Sequence, residues 1–182
     1  MTAAPMRLMA VLTVVFALAA TAAEASASEF TFSKTGALAG AQVASQQFTT
    51  TIGSFECAKD KLSGSATQLK TTVQKLTVQF EKCVYFGVTL KATPAELELN
   101  TNGNVNILKA FQLEGTSCNM RFPAQSLAGA KYTNRAGKLE VSLALNGLKS
   151  SGTGALCTHP ESNGAFAGSS LAELAGGTIE VI

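Results

Sequence analysis

The sequence contains few of the side chains on which enzymes and metal sites most often depend. Among 182 residues it has one histidine, His159, one aspartate, Asp60, no tryptophan and only 14% charged residues. Metal sites built from several His or Asp side chains, such as catalytic zinc centres and calcium loops, are therefore excluded. We accordingly predict that the protein uses no metal and no cofactor.

The sequence also has little excess of positive over negative charge. The formal net charge is +2 at pH 7, and no run of Lys or Arg forms a basic patch. A nucleic-acid-binding domain would carry a stronger and more clustered positive charge, so we predict no nucleic-acid partner.

The N-terminal segment has the pattern of a secretory signal peptide. Arg7 supplies a positive charge, Leu8 to Ala23 is a mainly apolar run, and Ala25-Ser26-Ala27 fits the small-residue cleavage rule. Because the run is shorter than the roughly 20 residues of a membrane span, a retained anchor is the less favoured alternative. We predict cleavage after Ala27, a secreted or extracytoplasmic protein, and membrane contact only during export.

After residues 1–27 are removed, residues 28–182 are predicted to form a single β-rich domain. All 16 glycines lie in this part, together with many Ser and Thr residues, and this composition favours short strands joined by tight turns. Ala95 to Leu99 and Leu139 to Leu145 alternate apolar and polar residues, as half-buried strands do. Asn102-Gly103 and Asn134 to Gly137 have the composition of hairpin turns.

Other segments give weaker signals. We predict loops at Gly36 to Ala44 and His159 to Gly164, a charged turn at Ala58 to Lys61, and a turn at Asn146-Gly147. Ser170 to Glu173 is compatible either with a short helix or with a strand. About ten short strands with little or no helix indicate an all-β domain, an antiparallel β-sandwich or a barrel.

Four cysteines, Cys57, Cys83, Cys118 and Cys157, lie in the part predicted to be exported. Their even number and an oxidising compartment indicate two disulfides, and their wide spacing matches no zinc motif. Of the three possible connectivities we favour Cys57 with Cys83 and Cys118 with Cys157, since each pair would link strands that are close along the chain. Four buried free thiols are the alternative.

The segment Cys118 to Gln125, followed by Tyr132-Thr133-Asn134 and by Ala155-Leu156-Cys157, resembles a group of uncharacterised secreted β-rich, Cys-paired proteins of soil actinobacteria. The resemblance covers most of Phe30 to Val181 and implies an exported β-rich domain. It implies no catalytic residue, because no activity is established for that group. The sequence departs from the pattern at His159-Pro160-Glu161, where such proteins tend to be rich in glycine.

His159 is the one side chain suited to general base catalysis at neutral pH, so a small secreted hydrolase with a Ser-His-acid arrangement is one hypothesis. The sequence has no G-x-S-x-G motif, and a histidine before a proline in a loop is more typical of the surface. Glu96 and Glu98 share one face of a strand, as paired carboxylates of glycoside hydrolases do, but outward positions on an amphipathic strand give the same pattern.

Six phenylalanines could either form the core or line a cavity for a lipid or another small ligand: Phe48, Phe55, Phe80, Phe86, Phe111 and Phe122. We predict no catalytic residue. The leading hypothesis is a non-enzymatic exported β-sandwich-like domain with a structural or binding role at or outside the cell envelope, where its ligand or partner would also lie. The small hydrolase and the carrier with a Phe-lined cavity are the alternatives.

Overall fold

The computed structural model describes residues 28–182, so the predicted signal peptide and its cleavage site after Ala27 lie outside the described residues. Every regular element in the described part is a β-strand, and all the pairings between strands are antiparallel. None of these residues belongs to a helix long and apolar enough to cross a membrane. The all-β prediction is confirmed.

There are fifteen strands in residues 28–182, rather than about ten. They are β1 (Phe30–Phe32), β2 (Gly36–Thr50), β3 (Gly53–Ala66), β4 (Lys70–Thr71), β5 (Val73–Tyr85), β6 (Val88–Ala92), β7 (Ala95–Asn100), β8 (Asn104–Ile107), β9 (Phe111–Gly115), β10 (Cys118–Phe122), β11 (Gln125–Ala128), β12 (Ala130–Arg135), β13 (Lys138–Thr153), β14 (His159–Leu174) and β15 (Ile179–Val181).

The main sheet closes into a barrel of eight strands, so the fold is a barrel and not a sandwich. The order around the ring is β5, β3, β2, β14, β13, β10, β9 and β6, and the pairing of β6 with β5 completes the circle. Every strand in the ring therefore has two hydrogen-bonded neighbours, and no sheet edge is left open there.

Four shorter strands continue members of this ring toward one end of the barrel. On β5, Cys83 pairs with Leu90 of β6 and Val78 pairs with Ala95 of β7. Five residues separate the two positions on β5 and on the partner side alike, so β7 continues β6 without a shift in register. β8 continues β9 along the barrel, and β11 and β12 continue β10, with register shifts of one residue. The interruptions at Pro94 and Pro123 account for part of the extra strand count, because proline has no N–H for a sheet ladder.

Several predicted loops and turns lie within long strands. Gly36 to Ala44 belongs to β2, Ala58 to Lys61 to β3, and His159 to Gly164 to β14. Of the two alternatives for Ser170 to Glu173, the structure has the strand, since these residues also belong to β14. Asn146-Gly147 does not reverse the chain but forms an irregularity within β13, where the register with β14 shifts between Asn146 and Leu148. Small or charged residues are tolerated in these strands because both neighbouring strands hydrogen-bond to their backbone.

The two predicted hairpins are confirmed. Asn102 and Gly103 connect β7 to β8, and Ala136 and Gly137 connect β12 to β13. Gly103 has a φ of +88° and Gly137 a φ of +81°, a conformation that glycine adopts without a steric penalty.

Both disulfides form as predicted and lie toward the same end of the barrel. Cys57 and Cys83 face each other across β3 and β5, while Cys118 begins β10 and pairs with Cys157 in the β13–β14 connection. The β2–β3 and β5–β6 turns lie at this end too, where the Tyr85 hydroxyl donates to the Ile52 carbonyl at 2.7 Å. The two disulfides are consistent with an extracytoplasmic location.

A small sheet of β15, β1 and β4 packs against the other end of the barrel. The backbone N–H of Ile179 donates to the carbonyl of Gly137 in the β12–β13 turn, and the Phe30 ring meets Tyr132 edge to face at 5.1 Å between centroids. Phe30, Phe32 and Ile179 are buried, so this sheet covers the apolar interior at that end.

The core fills most of the barrel interior. Phe48 contacts the rings of Phe80, Phe111, Phe122 and Phe166, with ring centroids 4.7 to 6.1 Å apart. For one of the six phenylalanines predicted to be in the core or a cavity, the prediction is wrong: Phe86 lies at the tip of the β5–β6 turn with 77% of its surface exposed.

We expect replacement of both Cys118 and Cys157 by Ser to lower the free energy of unfolding by about 3–4 kcal/mol, because the bridge closes a segment with a sequence separation of 39. Replacement of Cys57 and Cys83, whose separation is 26, should cost slightly less. Urea denaturation under oxidising conditions measures both losses, and an unchanged midpoint in either variant would contradict this account.

Candidate functional site

Asp60, the only aspartate of the chain, lies inside the barrel with 4% of its surface exposed. The sequence places it between Lys59 and Lys61, which suggested an exposed turn, but all three belong to β3. Because side chains alternate along a strand, the two exposed lysines place the aspartate between them on the inner face. A carboxyl group in an apolar interior is costly, so this position calls for an explanation.

A glutamine of β2 lies at the same place, next to an irregularity in that strand. Between the pairs Ala41–Lys61 and Gln46–Cys57, β2 advances by one residue more than β3, as a β-bulge does. The register of β2 with β14 also shifts in this region, between Ala167 and Ser170. Gln46 directly follows this irregularity, and its buried side chain lies inside the barrel beside Asp60.

Gln46, Asp60 and Ser170 form a hydrogen-bonded group that we call the Asp60 cluster. Gln46 Nε2 donates to Asp60 Oδ2 at 2.6 Å, and Ser170 Oγ donates to the same oxygen at 2.5 Å. Gln46 Nε2 also donates to Ser170 Oγ at 3.1 Å. Asp60 Oδ1 is buried and has no hydrogen-bond partner in the described part of the chain.

Gly168 makes room for this arrangement. A Cβ atom at this position would overlap the side-chain amide of Gln46, and Gly168 lies on β14 two residues before Ser170. The absence of a side chain therefore lets the Gln46 amide lie against the barrel wall and reach Asp60.

A cavity of about 50 Å³, counted as space for the centres of water-sized molecules, adjoins the cluster. Gln46, Asp60 and Ser170 form its polar side. The rest of the lining is almost entirely apolar and includes Phe48, Phe80, Leu97, Phe111, Leu145 and Phe166. No other titratable side chain of residues 28–182 lines it, so within this part of the chain Asp60 has no counter-ion in the cavity.

Burial raises the pKa of Asp60 above its ordinary value of 3.8. The hydrogen bond from Ser170 and the backbone amide of Gln42 act in the opposite direction, because both stabilise the charged form. Desolvation is the largest effect, so the folded protein binds this proton more tightly than the unfolded chain does.

His159 is not at the surface, as its position before Pro160 suggested, but is buried with 8% of its surface exposed. Its Nδ1 lies 2.9 Å from the Cys157 carbonyl oxygen and donates to it, while Nε2 has no partner within residues 28–182. Glu161, the nearest acid along the chain, is exposed on the outside, where it pairs with Lys149 at 3.7 Å. Among residues 28–182, no acid hydrogen-bonds to the His159 ring.

Glu96 and Glu98 are on β7, and both make contacts on the outside of the barrel. Glu96 accepts from Lys109 Nζ at 2.6 Å, and Glu98 accepts from Asn106 Nδ2 at 2.9 Å. Each carboxylate is thus engaged by a neighbouring side chain. In the described part of the chain, no group of three or more His, Cys, Asp or Glu side chains is placed to hold a metal ion.

Of the six phenylalanines considered as cavity residues, Phe48, Phe80 and Phe111 line the cavity, and Phe55 and Phe122 are buried without lining it. Sequence reasoning did not single out Gln46 or Ser170. The available signal was the Lys-Asp-Lys alternation, which has the period of a strand and places the charged Asp60 opposite two solvated neighbours.

The pKa of Asp60 predicts a pH-dependent stability difference between the wild type and Asp60→Asn. Because the folded-state pKa is raised, the contribution of protonated Asp60 is complete below about pH 3.8 and is lost as the pH rises through the folded pKa. The wild type should therefore lose stability relative to Asp60→Asn as the pH is raised from about 3 to about 7. Urea denaturation across this range measures the difference, and a constant difference would show that burial does not perturb Asp60.

Gly168→Ala should displace the Gln46 amide and lower the free energy of unfolding by about 1–3 kcal/mol, as overpacking does. The control is the same substitution in a Gln46→Ala background, where the overlap is absent and the cost should fall below about 1 kcal/mol. Equal costs in the two backgrounds would mean that Gly168 is not needed to accommodate Gln46.

Comparison with known proteins adds no functional assignment: no family model, no curated protein and no solved structure matches this chain. Function is therefore inferred from the geometry of residues 28–182.

Proposed function

We propose that this is an exported, non-enzymatic protein that binds a small ligand inside its barrel, against the Asp60 cluster. The observation that carries the proposal is a cavity within a closed barrel, next to a buried carboxylate oxygen that has no partner among the described residues. The protein would be secreted or extracytoplasmic after cleavage near Ala27, and its ligand would be met in the cell envelope or outside the cell.

The barrel architecture supports an interior site. An eight-stranded barrel is just wide enough either to be filled by its own side chains or to hold one small ligand. Here the interior is filled near the disulfide end by the phenylalanine cluster, and a space remains around Asp60. Apolar walls with a few convergent polar groups are typical of small-molecule sites.

The free-energy cost of burying the Asp60 cluster also supports an interior ligand site. A buried polar atom left without a hydrogen bond costs about 1–3 kcal/mol, and more when it carries charge. Apolar residues in place of all three members of the cluster would avoid this cost, since Gln46 and Ser170 both donate to Asp60. A destabilising titratable group that faces a cavity is characteristic of a functional site.

The size of the cavity limits the ligand. One water molecule needs about 10–15 Å³ of such space, so about 50 Å³ corresponds to only a few water-sized groups. This favours a compact molecule of about four or five non-hydrogen atoms over a long-chain lipid.

Two further features support export and the absence of catalysis. The two disulfides are of the kind that persists in oxidising compartments, and the β-rich Cys-paired pattern resembles a group of secreted proteins. No acid and no nucleophilic side chain in residues 28–182 hydrogen-bonds to the His159 ring, whose one bond is to the Cys157 carbonyl. The hydrolase hypothesis therefore has no geometry to support it.

The proposal predicts that filling the cavity abolishes binding while a matched substitution elsewhere does not. Ala95 is 1% exposed and lines the cavity, whereas Ala172 is 2% exposed and lies outside it. The full chain is expressed for export, purified with both disulfides formed, and titrated with isobutanol and with isobutylammonium while backbone amide shifts are followed by NMR. We expect shifts at Gln46, Asp60 and Ser170 in the wild type and in Ala172→Leu, and at least a tenfold weaker response in Ala95→Leu.

The two alanine substitutions serve as each other's control, because both add the same three carbon atoms to a buried position. If neither compound shifts the cluster amides of the wild type, the proposed function is wrong. Equal binding by Ala95→Leu and the wild type would place the ligand elsewhere on the protein.

A further inference from the structure

We infer that the ligand is a compact alkylammonium ion, with its positive charge placed at Oδ1 of Asp60. The inference rests on the proposed function, since it assigns a chemical class to the ligand of the same cavity. Three properties of the cavity carry it: its charge, its free acceptor atom and its apolar walls.

The charge of the lining favours a cation. Among the residues that the structure describes, Asp60 is the only titratable side chain that lines the cavity, and no Lys, Arg or His does so. A carboxylate in an apolar interior without a counter-ion is unfavourable, and a bound cation would supply the missing charge. An anionic ligand would meet like charge and find no positive group in the lining.

The hydrogen bonds within the cluster leave one oxygen available. Gln46 Nε2 and Ser170 Oγ both donate to Oδ2, so the two side-chain donors of the cluster share one oxygen, and the backbone amide of Gln42 also stabilises the carboxylate. Oδ1 is left as an acceptor without a partner in the described residues. An ammonium group has three N–H donors and no acceptor, which complements this atom.

The remaining N–H groups of the ammonium also have acceptors of a suitable kind. Gln46 and Ser170 line the same cavity, and each of their side chains carries an oxygen. A neutral alcohol could donate only one hydrogen bond and would leave the negative charge uncompensated. A metal ion would need more ligands than one carboxylate, an amide and a hydroxyl supply in this largely apolar space.

The apolar side chains that line the cavity favour a hydrocarbon group as the uncharged part of the ligand. The other lining side chains are apolar, among them Leu97, Leu145 and Phe166, so a hydrocarbon group in contact with them gains from burial. A branched chain of three or four carbon atoms fits the limit set by about 50 Å³. Isobutylammonium has both properties and is a suitable probe.

The test compares three probes of nearly the same shape: isobutylammonium, isobutanol and isobutyrate. They are titrated calorimetrically at pH 7 into the full chain, purified with both disulfides formed. Because a hydrogen bond to a charged group contributes about 1.5–3 kcal/mol, we expect isobutylammonium to bind at least about tenfold more tightly than isobutanol, and isobutyrate to show no binding.

Two variants test whether Asp60 causes the preference for isobutylammonium over isobutanol. Asp60→Asn should weaken the binding of isobutylammonium at least about tenfold and leave that of isobutanol within about threefold, because only the charge is removed. Glu98→Gln, which removes a carboxylate from the outside of the same barrel, should leave both affinities unchanged. Preferential binding of the ammonium that survives in Asp60→Asn would overturn the inference.

A measurement on the wild type makes the test independent of the folding of Asp60→Asn. The carboxyl carbon of Asp60, followed by NMR, should titrate at a lower pH when isobutylammonium is present, since the bound cation stabilises the carboxylate. Isobutanol should cause no such decrease. An Asp60 titration unaffected by isobutylammonium would also overturn the inference.

Failure of the inference and failure of the proposed function are distinguishable. If isobutanol binds in the cavity as tightly as isobutylammonium, the interior site stands and its selectivity for cations is wrong. If none of the three probes binds, both are wrong.

Discussion

The antiparallel ladder between β2 and β14 joins strands from opposite parts of the domain, and with it the sheet becomes a ring. Closure fixes which face of each strand is interior, because a shift by one residue would turn every inward side chain outward. The position of Asp60 beside Gln46 and Ser170 depends on this constraint, since the three residues come from three adjacent strands. The bulge in β2 modifies the register only where the cluster forms.

The interior therefore combines two opposed requirements. Apolar side chains supply the stabilising burial, and the phenylalanine contacts at the disulfide end fill their space closely. The Asp60 cluster introduces a carboxylate, an amide and a hydroxyl in the same interior. Their mutual hydrogen bonds satisfy Oδ2, while Oδ1 is buried without a hydrogen-bond partner among the described residues.

Much of the fold follows from local patterns in the sequence. The alternation in β7 and the Asn-Gly turn after it are determined by neighbouring residues, and the even number of cysteines in a predicted exported chain indicated both bridges. Gly36 to Ala44 gave no such signal, because small residues neither alternate strongly nor favour one face, and only pairing with β3 and β14 makes it a strand. Asp60 was placed in a turn because its inward orientation depends on burial by distant strands, which local charge does not reveal. The cluster required Gln46 and Ser170, whose proximity is set by barrel closure.

The placement of both disulfides toward one end makes the two ends of the barrel unequal in their freedom to open. At that end, separation of the strands is limited by covalent bonds between β3 and β5 and between β10 and the β13–β14 connection. The other end is covered by β1, β4 and β15, three short strands held by hydrogen bonds and by the packing of Phe30 and Phe32. Local opening needs the least free energy where few contacts must be broken, so we expect amide hydrogen exchange to be fastest at the end without disulfides. We infer that the barrier to entering or leaving the interior is lowest at that end, so the proposed ligand would exchange along one direction of the barrel.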